Sequence, residues 1–136
     1  MNGLRLPGFK EVIIVKQLIL IRRDLNMRRG KEISQGAHAA MAFLTRGVDP
    51  TGQFRKLTET QLEWVRNSFT KIVLQVDSED ELLRAFEKAK SNNILAHLIV
   101  DNGTTEFKGV ATPTAVAIGP EKSEILNPLF NNLKLY

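Results

Sequence analysis

The order of strand-like and helix-like segments predicts an α/β fold in which helices cover a single sheet. Four segments have the β-branched and aliphatic composition of strands, and amphipathic segments of helical period lie between them. Two Ser/Thr residues are followed three positions later by Gln or Glu, which is the spacing of a helix capping box. Because strand–helix–strand crossovers are right-handed and join parallel strands, we expect at least two such connections.

The first strand is predicted at residues 12–21, after a loose lead-in over residues 1–10, and its continuous apolar composition predicts burial on both faces. Residues 23–29 are polar and are predicted to form a loop. A helix then begins near Gly30 and ends near Gly47, which can cap its C-terminus. Its apolar residues follow helical spacing and are expected to face the core. They are Ile33, Ala37, Ala40, Met41 and Leu44.

Capping signals and composition place the later elements. A loop with Pro50 and Gly52 precedes a short helix, for which Thr58 and Gln61 have capping-box spacing. The remaining predicted elements are a strand at 71–76, a helix from Ser78 to about Ser91 with Glu81 completing its capping pattern, strands at 94–100 and 114–118, and a last short helix at 121–127. We expect Gly119-Pro120 to end the fourth strand.

Composition limits the classes of function. The length of 136 residues suits one domain. The chain has no cysteine, which excludes thiol catalysis, disulfides and Cys-based zinc sites and agrees with a reducing compartment. The longest apolar stretch, 12–21, is far shorter than the ~20 residues of a membrane span, and no signal-peptide pattern is apparent. We therefore expect a cytoplasmic protein without membrane contact.

Positive charge is concentrated in one loop. The formal net charge is +4, which favours a polyanionic partner. Between the first strand and the first helix a single acid, Asp24, stands against five cations, Arg22, Arg23, Arg28, Arg29 and Lys31. A phosphate-binding loop and a solvated basic face, with Asp24 in a salt bridge, both account for this cluster.

Two groups of polar residues could carry chemistry. Lys31, Gln35 and His38 share one stripe of the first helix, which is either the wall of a cleft or an ordinary solvent-facing stripe. Lys31 also lies at the helix N-terminus, where an anion is favoured, but Glu32 follows it and excludes a Walker A loop. Asp101 and Thr105 follow the third strand, where they serve either catalysis or the turn itself.

Three other conspicuous residues are interpreted as structural. His97 lies within an apolar strand, between Ala96 and Leu98, and is expected to be a core histidine. Trp64 and Phe69 are expected to pack against the protein and not against bases.

Three motifs in order resemble the peptidyl-tRNA hydrolase 2 family. The first runs from Lys16 through Lys31-Glu-Ile-Ser-Gln35-Gly-Ala-His38, the second is Asp101-Asn-Gly-Thr-Thr105, and the third runs from Thr114 to Gly119-Pro120. The closing Leu-Lys-Leu is also similar. The resemblance covers residues 16–136 and leaves 1–15 as an N-terminal extension that partly joins the first strand. It implies a three-layer α/β/α fold with a four-stranded mixed, mostly parallel sheet.

The resemblance also implies an activity and a site. It implies hydrolysis of the ester between a peptide and the tRNA 3′ end, without metal or other cofactor, by a homodimer. The catalytic positions of the family fall on Lys31, His38, Asp101 and Thr105. The positions implied to bind substrate are Arg22, Arg28, Arg29, Gln35 and Thr114. We expect Lys31 and Asp101 to interact, Lys31 to stabilise the oxyanion, and Thr105 to position water or the ester carbonyl.

The sequence departs from the family pattern at a few positions, and two alternative functions stay open. Ser34 and Asn102 replace alanines, Arg28 stands where glycine is common, and the segment before Thr114 is one residue longer. The alternatives are a non-catalytic tRNA- or protein-binding module on the same fold and a hydrolase of a related aminoacyl-tRNA ester. Both differ from the main hypothesis in turnover of peptidyl-tRNA.

Overall fold

The computed structural model describes residues 13–136, so the expected lead-in over 1–10 lies outside the described residues. The described strands and helices follow one another in the order that the sequence predicts, with a short fifth strand added at the end. In chain order they are β1 (Val15–Arg22), α1 (Arg29–Thr45), α2 (Glu59–Arg66), β2 (Thr70–Val76), α3 (Glu79–Ser91), β3 (Ala96–Asp101), β4 (Thr112–Lys122), α4 (Ser123–Phe130) and β5 (Lys134–Leu135).

The strands form one five-stranded sheet in the order β3-β4-β1-β2-β5, not the four-stranded sheet that was expected. β1, β2 and β3 run in the same direction, as the two expected parallel crossovers require, and β4 and β5 run against them. Only β1 and β2 pair in parallel among the described strands, and the other three pairings are antiparallel. The cause is the connection from β3 to β4, a loop with one turn of 3-10 helix that is too short to cross the sheet, so β4 returns antiparallel beside β3.

Apolar residues pack on both faces of β1, because successive side chains of a strand point in opposite directions. Leu18 and Leu20 belong to a cluster with buried residues of α3 and α4. Ile19 and Ile21 belong to a second cluster, with Ala39 and Ala42 of α1. The prediction that the first strand is buried on both faces is therefore confirmed.

The face of α1 that contacts the sheet differs from the predicted one. Ile33 and Met41, expected to be buried, are 66% and 55% exposed. The buried positions of this helix are Gln35, Ala39, Ala42 and Phe43. The helix is rotated so that the small side chains and one polar residue meet the sheet, because Gln35 finds a partner on β4.

Helix starts were predicted well, and one strand end was not. The Thr58–Gln61 capping box is complete, and the Ser78 hydroxyl accepts a hydrogen bond from the Glu81 N–H. The prediction that Gly119-Pro120 ends the fourth strand is wrong, since β4 continues to Lys122 and pairs again with the start of β1. As a result α4 begins at Ser123, two residues later than predicted.

Candidate functional site

Two segments that are far apart in the sequence bring Lys31, Asp101 and Thr105 together. Lys31 lies in the first turn of α1, Asp101 is the last residue of β3, and Thr105 lies in the loop that follows. The Lys31 Nζ donates to Asp101 Oδ1 at 2.6 Å and to Thr105 Oγ1 at 2.7 Å. The side chains of Lys31 and Asp101 are only 14% and 10% exposed. The three groups thus form one connected polar cluster at the carboxyl end of β3.

Asp101 is held as a carboxylate by its donors. Its pKa is lowered, chiefly by the hydrogen bond from Lys31, while desolvation opposes this and the Gly103 N–H and the charges of Lys31 and His38 add to the lowering. The second carboxylate oxygen accepts the Gly103 N–H at 2.9 Å. A carboxylate with a depressed pKa is a weak base, so this arrangement suits Asp101 for orienting Lys31 more than for removing a proton.

Gly103 shapes the loop that carries Thr105. Its φ is +84°, and a Cβ at this position would lie 2.6 Å from both the N and the O of Val110. Its carbonyl also accepts the Gly109 N–H at 3.0 Å. No other residue fits this position without moving the loop, because both the backbone angle and the close approach exclude a side chain.

The hydrogen-bonding capacity left at the cluster defines what it can do. An ammonium has three N–H donors, and Lys31 uses two of them on Asp101 and Thr105. Thr105 accepts from Lys31, so its own O–H stays free to donate. Two donors, one charged and one neutral, therefore lie side by side and can bind one oxygen on which negative charge develops.

His38 lies on the exposed side of α1, two turns after Lys31. Its Nε2 is 3.5 Å from the Ser34 Oγ, and its charge contributes to the lowered pKa of Asp101. The described contacts do not join His38 directly to Lys31 or Thr105. Its place at the rim suits contact with substrate or solvent.

Gln35 and Thr114, two of the expected substrate contacts, face each other inside the protein. They are 2% and 0% exposed, and the Thr114 hydroxyl donates to the Gln35 Oε1. This bond ties α1 to β4 one helical turn after Lys31. The geometry therefore favours a positioning role for both residues over contact with a substrate.

The expected phosphate-binding arginines have different environments. Arg22 is 7% exposed and holds Asp24 through two hydrogen bonds, of 3.0 and 2.6 Å, which favours a structural role. Arg28 is exposed and pairs with Glu106 at 3.0 Å, a partner that no sequence signal indicated. Arg29 is exposed at the start of α1. Arg28 and Arg29 are thus accessible to a phosphate, whereas Arg22 is not, although Arg29 lines an apolar groove with Ile33.

Trp64 and Phe69 pack against the protein as expected, whereas His97 is less buried than a core histidine. Trp64 is 1% exposed and donates its indole N–H to the Thr70 carbonyl, and Phe69 stacks on it with ring centroids 4.7 Å apart. His97 is partly buried on β3, and burial is the main cause of its lowered pKa. Across residues 13–136, no three His, Asp or Glu side chains are grouped as a metal site would need, and no helix is long and apolar enough to cross a membrane.

Comparison with known proteins matches most of the chain. The model of a family described as Peptidyl-tRNA hydrolase PTH2 matches residues 15–136. The peptidyl-tRNA hydrolase of Methanocaldococcus jannaschii is 39% identical over 122 residues, which cover 89% of this chain and 99% of the relative. The Aeropyrum pernix peptidyl-tRNA hydrolase is 36% identical over 124 residues, 89% of this chain and 95% of the relative. That of Saccharolobus islandicus is 32% identical over 122 residues, 90% of this chain and 99% of the relative.

Proposed function

Because the chain belongs to the peptidyl-tRNA hydrolase 2 family, we propose that it hydrolyses the ester that joins a peptide to tRNA. The products are a free peptide and a tRNA that can be used again. One observation carries the assignment to a site, namely the cluster in which Lys31 contacts both Asp101 and Thr105. We assign the catalytic domain to residues 16–136, within the 15–136 that the family model matches, and treat the segment 1–15 as an extension.

The reaction needs stabilisation of one oxygen and the transfer of one proton. Water adds to the ester carbonyl carbon and loses a proton, which gives a tetrahedral oxyanion; the bond to the ribose oxygen then breaks, and that oxygen takes the proton that the water lost. Lys31 and Thr105 supply the two free donors that bind the oxyanion. Asp101 keeps the Lys31 ammonium in place. His38, at the rim, assists the proton transfer or binds the tRNA end.

The rim of the site suits the polyanionic part of the substrate. Arg28 and Arg29 are exposed beside the N-terminus of α1, where backbone N–H groups also favour anions. Arg22 is left out of this list because its guanidinium is buried on Asp24. Gln35 and Thr114 support the site from below through their mutual hydrogen bond.

Four further features complete the proposal. Apolar clusters on both faces of β1 support the three-layer arrangement, and the lack of cysteine supports a cytoplasmic location. The residues of the site supply the chemistry without a metal ion. The exposed Ile33 lines an apolar groove with Val73 and Tyr136, and this groove supports a homodimer. Sedimentation of Ile33→Glu, beside the equally exposed control Phe54→Glu, tests the dimer; dissociation of the first variant alone is expected, and a wild-type monomer would contradict it.

Mutation of the two proposed donors tests the site. Lys31→Met and Thr105→Val should each lower kcat for peptide release at least tenfold, which is about 1.4 kcal/mol in the barrier. Lys90→Met on α3 removes an exposed positive charge far from the cluster and is the matched control. Equal rates for Lys31→Met and Lys90→Met would remove Lys31 from the mechanism.

A further inference from the structure

A second cationic cluster lies at the opposite end of α1 from the Lys31 site. A shallow pocket between the last turn of α1, the loop that follows it and the start of β3 is lined by Arg46, Arg55, Lys56 and His97. Its other lining residues are apolar or neutral, and none of them is acidic. Among residues 13–136, no carboxylate forms a salt bridge with Arg46, Arg55 or Lys56. The pocket therefore holds three positive charges that the described protein does not neutralise.

The fold keeps these cations in place. The Arg46 guanidinium donates to the Leu98 carbonyl of β3 at 2.7 Å. The Arg55 N–H donates to the Gly47 carbonyl at 3.0 Å, which fixes the loop against the end of α1. The carbonyls of a helix C-terminus attract a cation, but they carry only about half an elementary charge. Two arginines and a lysine exceed that amount, so a net positive potential is left for an external anion.

His97 adds an unused polar atom to the same pocket. Its Nδ1 is buried and has no hydrogen-bond partner in the described structure. Burial, with the nearby charges of Arg46 and Arg55, lowers its pKa, so the ring is neutral at physiological pH and still has one N–H to donate. A buried polar atom without a partner is costly, and a bound anion would relieve that cost.

The pocket and the Lys31 site lie along the same edge of the molecule. Lys31 contacts Asp101, the last residue of β3, and His97, which lines the pocket, is the second residue of the same strand. Because β3 is an edge strand, both sites open along one border of the sheet. Fifteen residues of α1 separate Lys31 from Arg46, which is about 22 Å at the helical rise of 1.5 Å per residue. One extended polyanion can therefore reach both sites.

We propose that Arg46, Arg55, Lys56 and His97 form a phosphate-binding subsite that holds the tRNA backbone while the 3′-terminal ester lies at Lys31. This inference rests on the proposed function, since it assigns a second contact to the same substrate. The subsite adds affinity for long RNA and leaves the hydrolytic step unchanged. A phosphate several nucleotides away from the ester would occupy it.

Two double variants and two substrates test the subsite. Arg55→Gln/Lys56→Gln removes two charges from the pocket, and Arg84→Gln/Lys90→Gln removes two exposed charges from α3, whose buried face packs in the other core cluster. The substrates are N-acetylaminoacyl-tRNA and the same ester on a 3′-terminal dinucleotide, which is too short to span about 22 Å. The rate of hydrolysis of each substrate and the affinity for tRNA are measured between 50 and 200 mM salt.

The pocket variant should raise KM for the full tRNA about tenfold, leave kcat unchanged and reduce the slope of log K against log salt by about 1.4–1.8. With the dinucleotide ester it should equal the wild type. The inference is overturned if both double variants bind tRNA alike, or if the pocket variant loses activity equally on both esters. A wild type that hydrolyses neither ester would instead contradict the proposed function.

Discussion

The hydrogen bond between Thr114 and Gln35 gives a direct test of what these buried residues do. Replacing Thr114 by valine keeps the shape of the side chain and removes its hydroxyl. The Gln35 Oε1 would then lose its donor in a place where Gln35 is 2% exposed. Because water cannot easily replace the donor, the amide oxygen is left unsatisfied.

The cost follows from the burial of the acceptor. A buried polar group that loses its partner destabilises a protein by about 1–3 kcal/mol. For a domain of this length, each kcal/mol lowers the melting temperature by about 3–4 °C, so Thr114→Val should melt roughly 3–12 °C lower. At temperatures below the thermal unfolding transition, the KM for peptidyl-tRNA should stay unchanged, because neither side chain is accessible to the substrate.

Thermal and urea unfolding of a double-mutant cycle measures this cost. Gln35→Leu/Thr114→Val removes both polar groups, so it should be less destabilised than the sum of the single variants by about 0.5–3 kcal/mol. An unchanged melting temperature for Thr114→Val, together with a raised KM, would refute the argument. That result would return Thr114 to the list of substrate contacts.

Three further predictions concern the site and its rim. The lowered pKa of Asp101 means that its ion pair contributes stability above the unfolded pKa near 3.9 and loses it as pH falls through the lower folded pKa. The difference in unfolding free energy between wild type and Asp101→Asn should therefore be constant at neutral pH and shrink progressively below about pH 4, and a difference that does not shrink down to about pH 2 would argue against the pair. Gly103→Ala should lower the free energy of unfolding by about 1–3 kcal/mol, measured by chemical denaturation, and should lower kcat at least tenfold, because its Cβ would meet the Val110 backbone. Wild-type values of both quantities would show that the loop moves to accommodate the Cβ at no cost. Arg29→Gln should weaken tRNA binding and flatten the salt dependence by about one unit, and an unchanged slope would remove Arg29 from the phosphate contacts.

Local signals in the sequence predicted local structure correctly. The spacing of Thr58 and Gln61 placed the start of α2 because a capping box satisfies backbone groups within one turn. The pairing of Lys31 with Asp101 was expected only through the resemblance to a family. Composition alone left the polar stripe of α1 open between a cleft wall and a solvated surface.

Non-local contacts account for what the sequence did not reveal. Ile33 and Met41 follow helical spacing and yet are exposed, because α1 turns Gln35 toward a partner 79 residues away on β4. A hydrophobicity pattern assigns a glutamine to the surface and cannot detect such a partner. The same holds for Glu106, whose pairing with Arg28 depends on how the loop after β3 folds back.

The position of β4 in the sheet could not be predicted from the sequence, for a similar reason. Alternation of strands and helices favours parallel neighbours, but β4 lies between β1 and β3 and runs antiparallel to both. The strand also continues through Gly119-Pro120, because Glu121 and Lys122 find partners in Lys16 and Val15. Those pairings join residues more than 100 positions apart, and no local turn signal encodes them.

Release of intact peptide from purified N-acetylaminoacyl-tRNA, with and without EDTA, by wild type and Asp101→Ala is the most direct test of the central claim. We expect EDTA-resistant release by the wild type and at least a tenfold lower rate for Asp101→Ala, whose Lys31 ammonium has lost its anchor. Equal rates for the two proteins would contradict the assigned site. No release by a folded wild type that still binds tRNA would contradict the hydrolase itself and favour a binding module or a different tRNA ester.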